Sequence, residues 1–100
     1  TYLDDMQGYC YLIEKQIMGR SRQDLETDVD FRHLLLYRIG VIGEAARQIS
    51  EEFKIIHPEI EWRKIIGMRN RIHHEYFSVD YDIVWNVVTK EIPELLTRLI

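Results

Sequence analysis

The sequence predicts an all-α fold: an antiparallel bundle of four to five helices, in a single domain spanning residues 1–100. Three observations predict it. Apolar residues recur at steps of three and four over most of the chain, the spacing that gathers side chains on one face of a helix. No stretch shows the convincing period-two alternation of a strand. Gly19, His57-Pro58 and Ser78–Asp80 fall between the periodic stretches, where helix ends and turns belong.

A first helix is expected over Tyr2–Met18, with Leu3, Met6, Cys10, Ile13 and Ile17 on one face and Gly19 placed to end it. Gly19–Asp30 is polar and acidic, and reads as a connector with room for a short helical turn. A long second helix is expected over Phe31–Ile55, where Phe31, Leu34, Leu35, Ile39, Ile42, Ala46, Ile49 and Phe53 form a wide apolar stripe. Gly40 and Gly43 within it disfavour a lone helix, so they are expected to admit the close approach of another backbone. Pro58 drives His57 out of helical geometry and ends that helix. A third helix is expected from Glu61 or Trp62 to about Phe77. Asp80 or Tyr81 opens a fourth, with Ile83, Val84, Val87 and Val88 buried. Pro93 is expected to kink or interrupt it near Ile92, before Leu95, Leu96 and Leu99 continue the apolar face. Short connections between helices make neighbours antiparallel.

With 46% hydrophobic and 30% charged residues, the chain belongs among ordinary globular proteins. A formal charge of −4 excludes a generally basic nucleic-acid binder, so any such contact must be local. The lone cysteine, Cys10, excludes an intrachain disulfide and suits a reducing cytoplasm. No apolar run approaches the roughly 20 residues of a membrane span, and no secretory pattern is visible, so a cytoplasmic protein without membrane contact is expected. Thr1 stands where an initiator methionine would, which fits a chain with further residues before it.

Against this acidic background, Trp62–Tyr76 carries Arg63, Lys64, Arg69, Arg71, His73 and His74, with no acid before Glu75. On a continuous helix turning about 100° per residue, Arg69, His73 and Tyr76 fall near one stripe and Asn70 and His74 on the next, a wedge of roughly 160°. Met68 and Ile72 lie outside it, placed to hold the helix to the core. Arg69 and His74, about 140° apart, would flank a cleft.

This inventory suits cleavage of an RNA phosphodiester. Arginine offers a fixed fork of donors to phosphate oxygens and stays charged throughout. Histidine exchanges a proton near neutral pH. RNA supplies its own nucleophile, the 2′-hydroxyl, so the chemistry requires neither metal nor cofactor. One well-placed histidine gives a base or an acid but not both, and a two-fold homodimer would supply the pair. Asn70, Arg71, Arg63 and Lys64 are the candidate substrate contacts. Glu44, beside Gly43, is a candidate partner for orienting Arg69, or a plain surface carboxylate. His33 and His57 lack acid or thiol companions at ligand spacing, so no metal site is expected.

The pattern Arg69-Asn70-xxx-His74-x-Tyr76 resembles the Arg-x4-His-x-Tyr motif of HEPN-domain toxins of the HepT type, from HepT–MntA toxin–antitoxin pairs. The likeness extends through Ile42-Gly43-Glu44-Ala45-Ala46, His57-Pro58-Glu59-Ile60, Trp62-Arg63, Ile65-Ile66-Gly67-Met68-Arg69-Asn70, Val79-Asp80 and Ile83-Val84-Trp85, in that order. It covers about Tyr37–Leu99. The resemblance implies an all-α HEPN homodimer acting as a metal-independent endoribonuclease, with Arg69 and His74 catalytic. It also implies an antitoxin partner, a minimal MntA-type nucleotidyltransferase that transfers AMP to Tyr76. Two positions depart from the family pattern: His73 stands where an aliphatic residue is usual, and Arg38 where asparagine is frequent. Spacing assigns the motif histidine to His74, since His73 is one residue short. The rival reading is a non-catalytic interaction module that binds a nucleotidyltransferase and is modified by it.

Overall fold

Capping chemistry sets where the helices begin. A computed structural model describes residues 1–73 and 78–100. Helix α1 spans Tyr2–Gln16 behind a capping box of Thr1 and Asp4, and Gly19, at φ 72°, turns the chain out in the left-handed region that suits glycine. The expected connector contains a short helix, α2 (Arg22–Thr27), started by a second capping box of Ser21 and Asp24. Asp28 then caps α3 (Val29–Gln48) by accepting a hydrogen bond from the Phe31 amide.

The long second helix is shorter than its apolar stripe predicts. Ile49 is extended (ψ 140°), and Ser50 caps a new helix, α4 (Glu51–Ile56), accepting from the Phe53 amide. Serine hydroxyls compete with helical hydrogen bonding, and Glu51 and Glu52 in the first turn favour a helix start here. Periodicity alone runs across such a break because Phe53 still returns towards the core. Its ring lies 4.3 Å from that of His57 and 6.0 Å from that of Trp62. Leu34, expected on the buried stripe, is instead exposed.

The third helix also differs. Two short helices, α5 (Trp62–Ile66) and α6 (Met68–Ile72), meet at Gly67. His73 is extended (φ −89°, ψ 131°) and forms an isolated antiparallel bridge with Val79, while the Asp80 amide donates to the Ile72 carbonyl at 2.8 Å. The expected helix therefore stops at Ile72, and His73 leaves the stripe it would share with Arg69 on a continuous helix. The basic run carries helical spacing, but the Val79–Asp80 pairing draws the chain out of the helix. His74 and Tyr76 lie outside the described residues.

Asp80 caps α7 (Tyr81–Asn86) as expected. A π-helical turn, Val87–Glu91, follows and leads into α8 (Ile92–Leu99). Pro93 explains the turn: its ring would strike the carbonyl four residues back in a regular α-helix, and a π turn opens that space. Arg22 ties α2 to Asp82 of α7, and Arg38 donates to the Leu12 carbonyl and Gln16, tying α3 to α1. Arg38, which departs from the family pattern, thus serves a packing contact between α1 and α3.

One apolar core joins these elements. Met6, Cys10 and Ile13 meet Leu35, Ile39 and Ile42 of α3, and Met68, Ile72, Val84, Val88 and Ile92 close the far side. Burying each such aliphatic side chain contributes about 1.5–3 kcal/mol. Burial also pushes the Cys10 thiol up to about 12, so it carries no thiolate chemistry at neutral pH. No helix among the described residues is long and apolar enough to cross a membrane.

Candidate active site

The site begins with two absent side chains. A Cβ on Gly40 would sit 3.3 Å from Cδ of Arg69, and one on Gly43 would sit 3.3 Å from the Ile65 carbonyl oxygen. The two glycines of α3 thus let the α5–α6 backbone and the Arg69 alkyl chain rest directly on the helix, as their spacing predicts. Met68 and Ile72, one turn apart, are buried and anchor α6, which leaves Arg69 and Asn70 exposed at its side.

Arg69 divides an open cleft between α3 and α6. One lobe, of about 270 Å³, is lined by Gly43, Glu44, Arg47, Ile66 and Asn70. The other, of about 460 Å³, is lined by His33, Leu36, Tyr37 and Val41. Gly40, Glu44, Arg69 and His73 border both. Arg69 has no ion pair among the described residues. The expected pairing with Glu44 is not formed. Glu44 instead meets Arg47 at 3.5 Å and accepts from Gln48 at 3.2 Å, both on its own helix. Its charge is therefore balanced locally, and that of Arg69 remains directed to the cleft.

The other cations of the basic run separate by position. Arg71 grips Glu91 of the π turn with both terminal nitrogens, at 2.7 and 3.1 Å, and reaches the Lys64 carbonyl at 3.4 Å. Lys64 lies 3.9 Å from Glu91 and 3.8 Å from Glu61. Neither Arg71 nor Lys64 lines the cleft with Arg69; both hold α5 and α6 to the π turn. Arg63 is exposed and has no ion pair among the described residues. Lys64 and Arg71, expected among the substrate contacts, thus face the π turn, and only Arg69 and Asn70 of the candidate contacts line the cleft.

Partial burial works to raise the Glu91 carboxyl, but the hydrogen bonds and charge of Arg71, with help from Lys64 and Asn86, outweigh it and hold the group below its ordinary 4.5. A depressed carboxyl stabilises the fold above its unfolded value, and that contribution is lost as pH falls through the folded one. Glu91→Gln is expected to cost about 1–2 kcal/mol at pH 7. Melting curves of both proteins should converge as the pH falls below the depressed value of this carboxyl.

His73 reaches the cleft although its spacing is one residue short of the motif. Sequence reasoning also missed His33, Tyr37 and Arg47. Their signal was present: positions 33, 37, 40, 44 and 47 alternate steps of four and three, a second stripe on α3 beside the buried one. A groove bounded by Ile60, Lys64, Glu91, Leu95 and Arg98 encloses only about 30 Å³, space for one or two waters. No group of three or more metal-ligating side chains occurs among the described residues.

Residues 6–99 match the family described as "Ribonuclease HepT-like". The chain belongs to the HepT-like family. Over 94 residues it is 35% identical to "Probable ribonuclease HepT" of Thermococcus cleftensis, covering 94% of this chain and 86% of that protein. It is 35% identical over 94 residues to a protein of Caldanaerobacter subterraneus subsp. tengcongensis named "Putative RNase TTE0752", covering 94% and 84%. With a Methanocaldococcus jannaschii protein named "Putative RNase MJ1216" the identity is 42% over 94 residues, covering 94% and 72%. No solved structure matches. The all-α architecture and the family agree with the HEPN resemblance of the sequence, and the cleft beside Arg69 is the feature of this HepT-like chain that suits phosphate.

Proposed function

We propose that this HepT-like protein is a metal-independent endoribonuclease, the toxin of a prokaryotic toxin–antitoxin pair, in which Arg69 and His74 act on RNA at a homodimer cleft. The observation that carries the proposal is Arg69: a guanidinium seated on Gly40, unpaired among the described residues, at the centre of an open cleft. The names of the relatives support the same activity.

In this reading Arg69 holds the non-bridging oxygens of the scissile phosphate and stabilises the charge that grows on them. The 2′-hydroxyl of the preceding ribose attacks phosphorus and gives its proton to an imidazole. The bond to the 5′-oxygen breaks, and a second imidazole protonates that oxygen, leaving a 2′,3′-cyclic phosphate and a 5′-hydroxyl. The homodimer supplies the two imidazoles as His74 of each copy. Asn70 beside Arg69 and Arg63 further out contact the strand. An MntA-type nucleotidyltransferase silences the toxin by moving AMP to Tyr76: the phenol oxygen bonds to the α-phosphorus of ATP, the α–β anhydride breaks, and pyrophosphate and the phenolic proton leave, so that added negative charge and bulk compete with RNA for Arg69.

Induction in bacteria of wild type, His74→Ala and His73→Ala tests the assignment. Loss of general acid–base catalysis costs about 10²–10⁴-fold, so growth arrest is expected to vanish in His74→Ala and persist in His73→Ala. Arrest retained by His74→Ala would remove His74, and with His73→Ala inactive would hand its role to the histidine that the cleft contains. Cleavage by the purified wild type should survive excess EDTA. A protein that binds the nucleotidyltransferase yet leaves all RNA intact would be the interaction module instead.

A further inference from the structure

We infer that the α3 lobe of the cleft is a nucleobase subsite, in which Tyr37 is the stacking platform for an unpaired base next to the phosphate held by Arg69. The inference rests on the ribonuclease reading and adds a substrate class to it: single-stranded RNA.

Tyr37 stands on α3 one turn before Gly40, the residue on which Arg69 lies. Its side chain is 62% exposed, although the residues flanking it at Leu35 and Ile39 are fully buried. An aromatic ring held at the wall of a cleft, with no ring partner among the described residues, has a face free for another π system. The lobe beside it, about 460 Å³, falls within the roughly 300–1,000 Å³ typical of small-ligand sites. Leu36 and Val41 give it an apolar floor, while His33 and Glu44 bring polar groups to its edge.

The charge pattern matches the same occupant. Glu44 is balanced by Arg47, while Arg69, between the two lobes, has no ion pair among the described residues. Tyr37 and Arg69 line the same lobe, with Tyr37 one helical turn before the glycine that carries the Arg69 chain. A cation and an exposed aromatic on one lobe suit a splayed single strand, whose bases are open to stacking. A duplex keeps its base faces covered.

The test is binding of a short single-stranded RNA made uncleavable by 2′-deoxy substitution, alongside the same oligonucleotide with abasic sites and as a duplex. Tyr37→Ala is expected to weaken single-strand binding about 5- to 150-fold, the range measured for one stacked base, while Tyr37→Phe stays near wild type. The abasic strand should bind wild type and Tyr37→Ala alike. In cleavage of the all-ribose strand, Tyr37→Ala should raise KM with kcat retained. Equal binding by wild type and Tyr37→Ala would overturn the subsite. So would a change in molecular mass of Tyr37→Ala in solution, which would place the ring between copies of the chain. Wild type that binds but never cuts would sink the ribonuclease reading and leave the stacking comparison to decide the subsite. Wild type that does not bind would remove both.

Discussion

Arg69→Ala is expected to lower RNA cleavage by at least about 10²–10³-fold, the cost of deleting a donor aimed at developing charge in comparable active sites. Its melting temperature should barely move. Arg69 is exposed and has no ion pair among the described residues, and substitutions of that kind fall within about 0.5 kcal/mol. Arg69→Lys keeps the charge but loses the planar fork, so it should recover part of the rate and not all of it. Single-turnover cleavage and thermal melting of the three proteins give the comparison. A large loss of stability in Arg69→Ala, or full activity in it, would contradict the placement of this side chain at the reacting phosphate.

The second large effect separates two glycines three residues apart. Gly40→Val places methyl groups where the Arg69 chain lies, 3.3 Å from a Cβ already. The neighbour that must give way is a flexible side chain, so the fold should survive with Arg69 displaced. A misplacement of about 1 Å costs on the order of 10²-fold in rate, and Gly40→Val should approach Arg69→Ala in activity. Gly43→Val meets the carbonyls of Ile65 and Ile66, at 3.3 and 3.7 Å from a Cβ, and backbone cannot swing aside. Its expected cost is about 1–3 kcal/mol of stability. Melting curves and cleavage rates measured together distinguish them: one variant is stable and inactive, the other unstable.

These glycines also show how much of the molecule the sequence states openly. Close approach at Gly40 and Gly43 was legible because small residues inside a helical pattern need a reason. Pro93 was legible as an interruption, and Asp80 as a cap. The break at Ser50 was hidden, since a hydroxyl cap and an apolar stripe give opposite signals there. The end of α6 was hidden for another reason. Nothing local in Ile72-His73 forbids helix; the extended geometry comes from pairing with Val79, six residues beyond His73. Arg71 looked like Arg69 in type, and its partner Glu91, 20 residues on, comes into view only in three dimensions, where it separates a packing arginine from a cleft arginine.

The π turn at Val87–Glu91 has an implication for how this chain tolerates change. Its wider coil lets Pro93 fit and still delivers Glu91 to Arg71 and Leu95 and Leu96 to the interior. A π turn holds one residue more than the α turn it replaces, so removing one would close it to α geometry and press the Pro93 ring against the carbonyl four residues back. Composition in this stretch is negotiable, but its length is not.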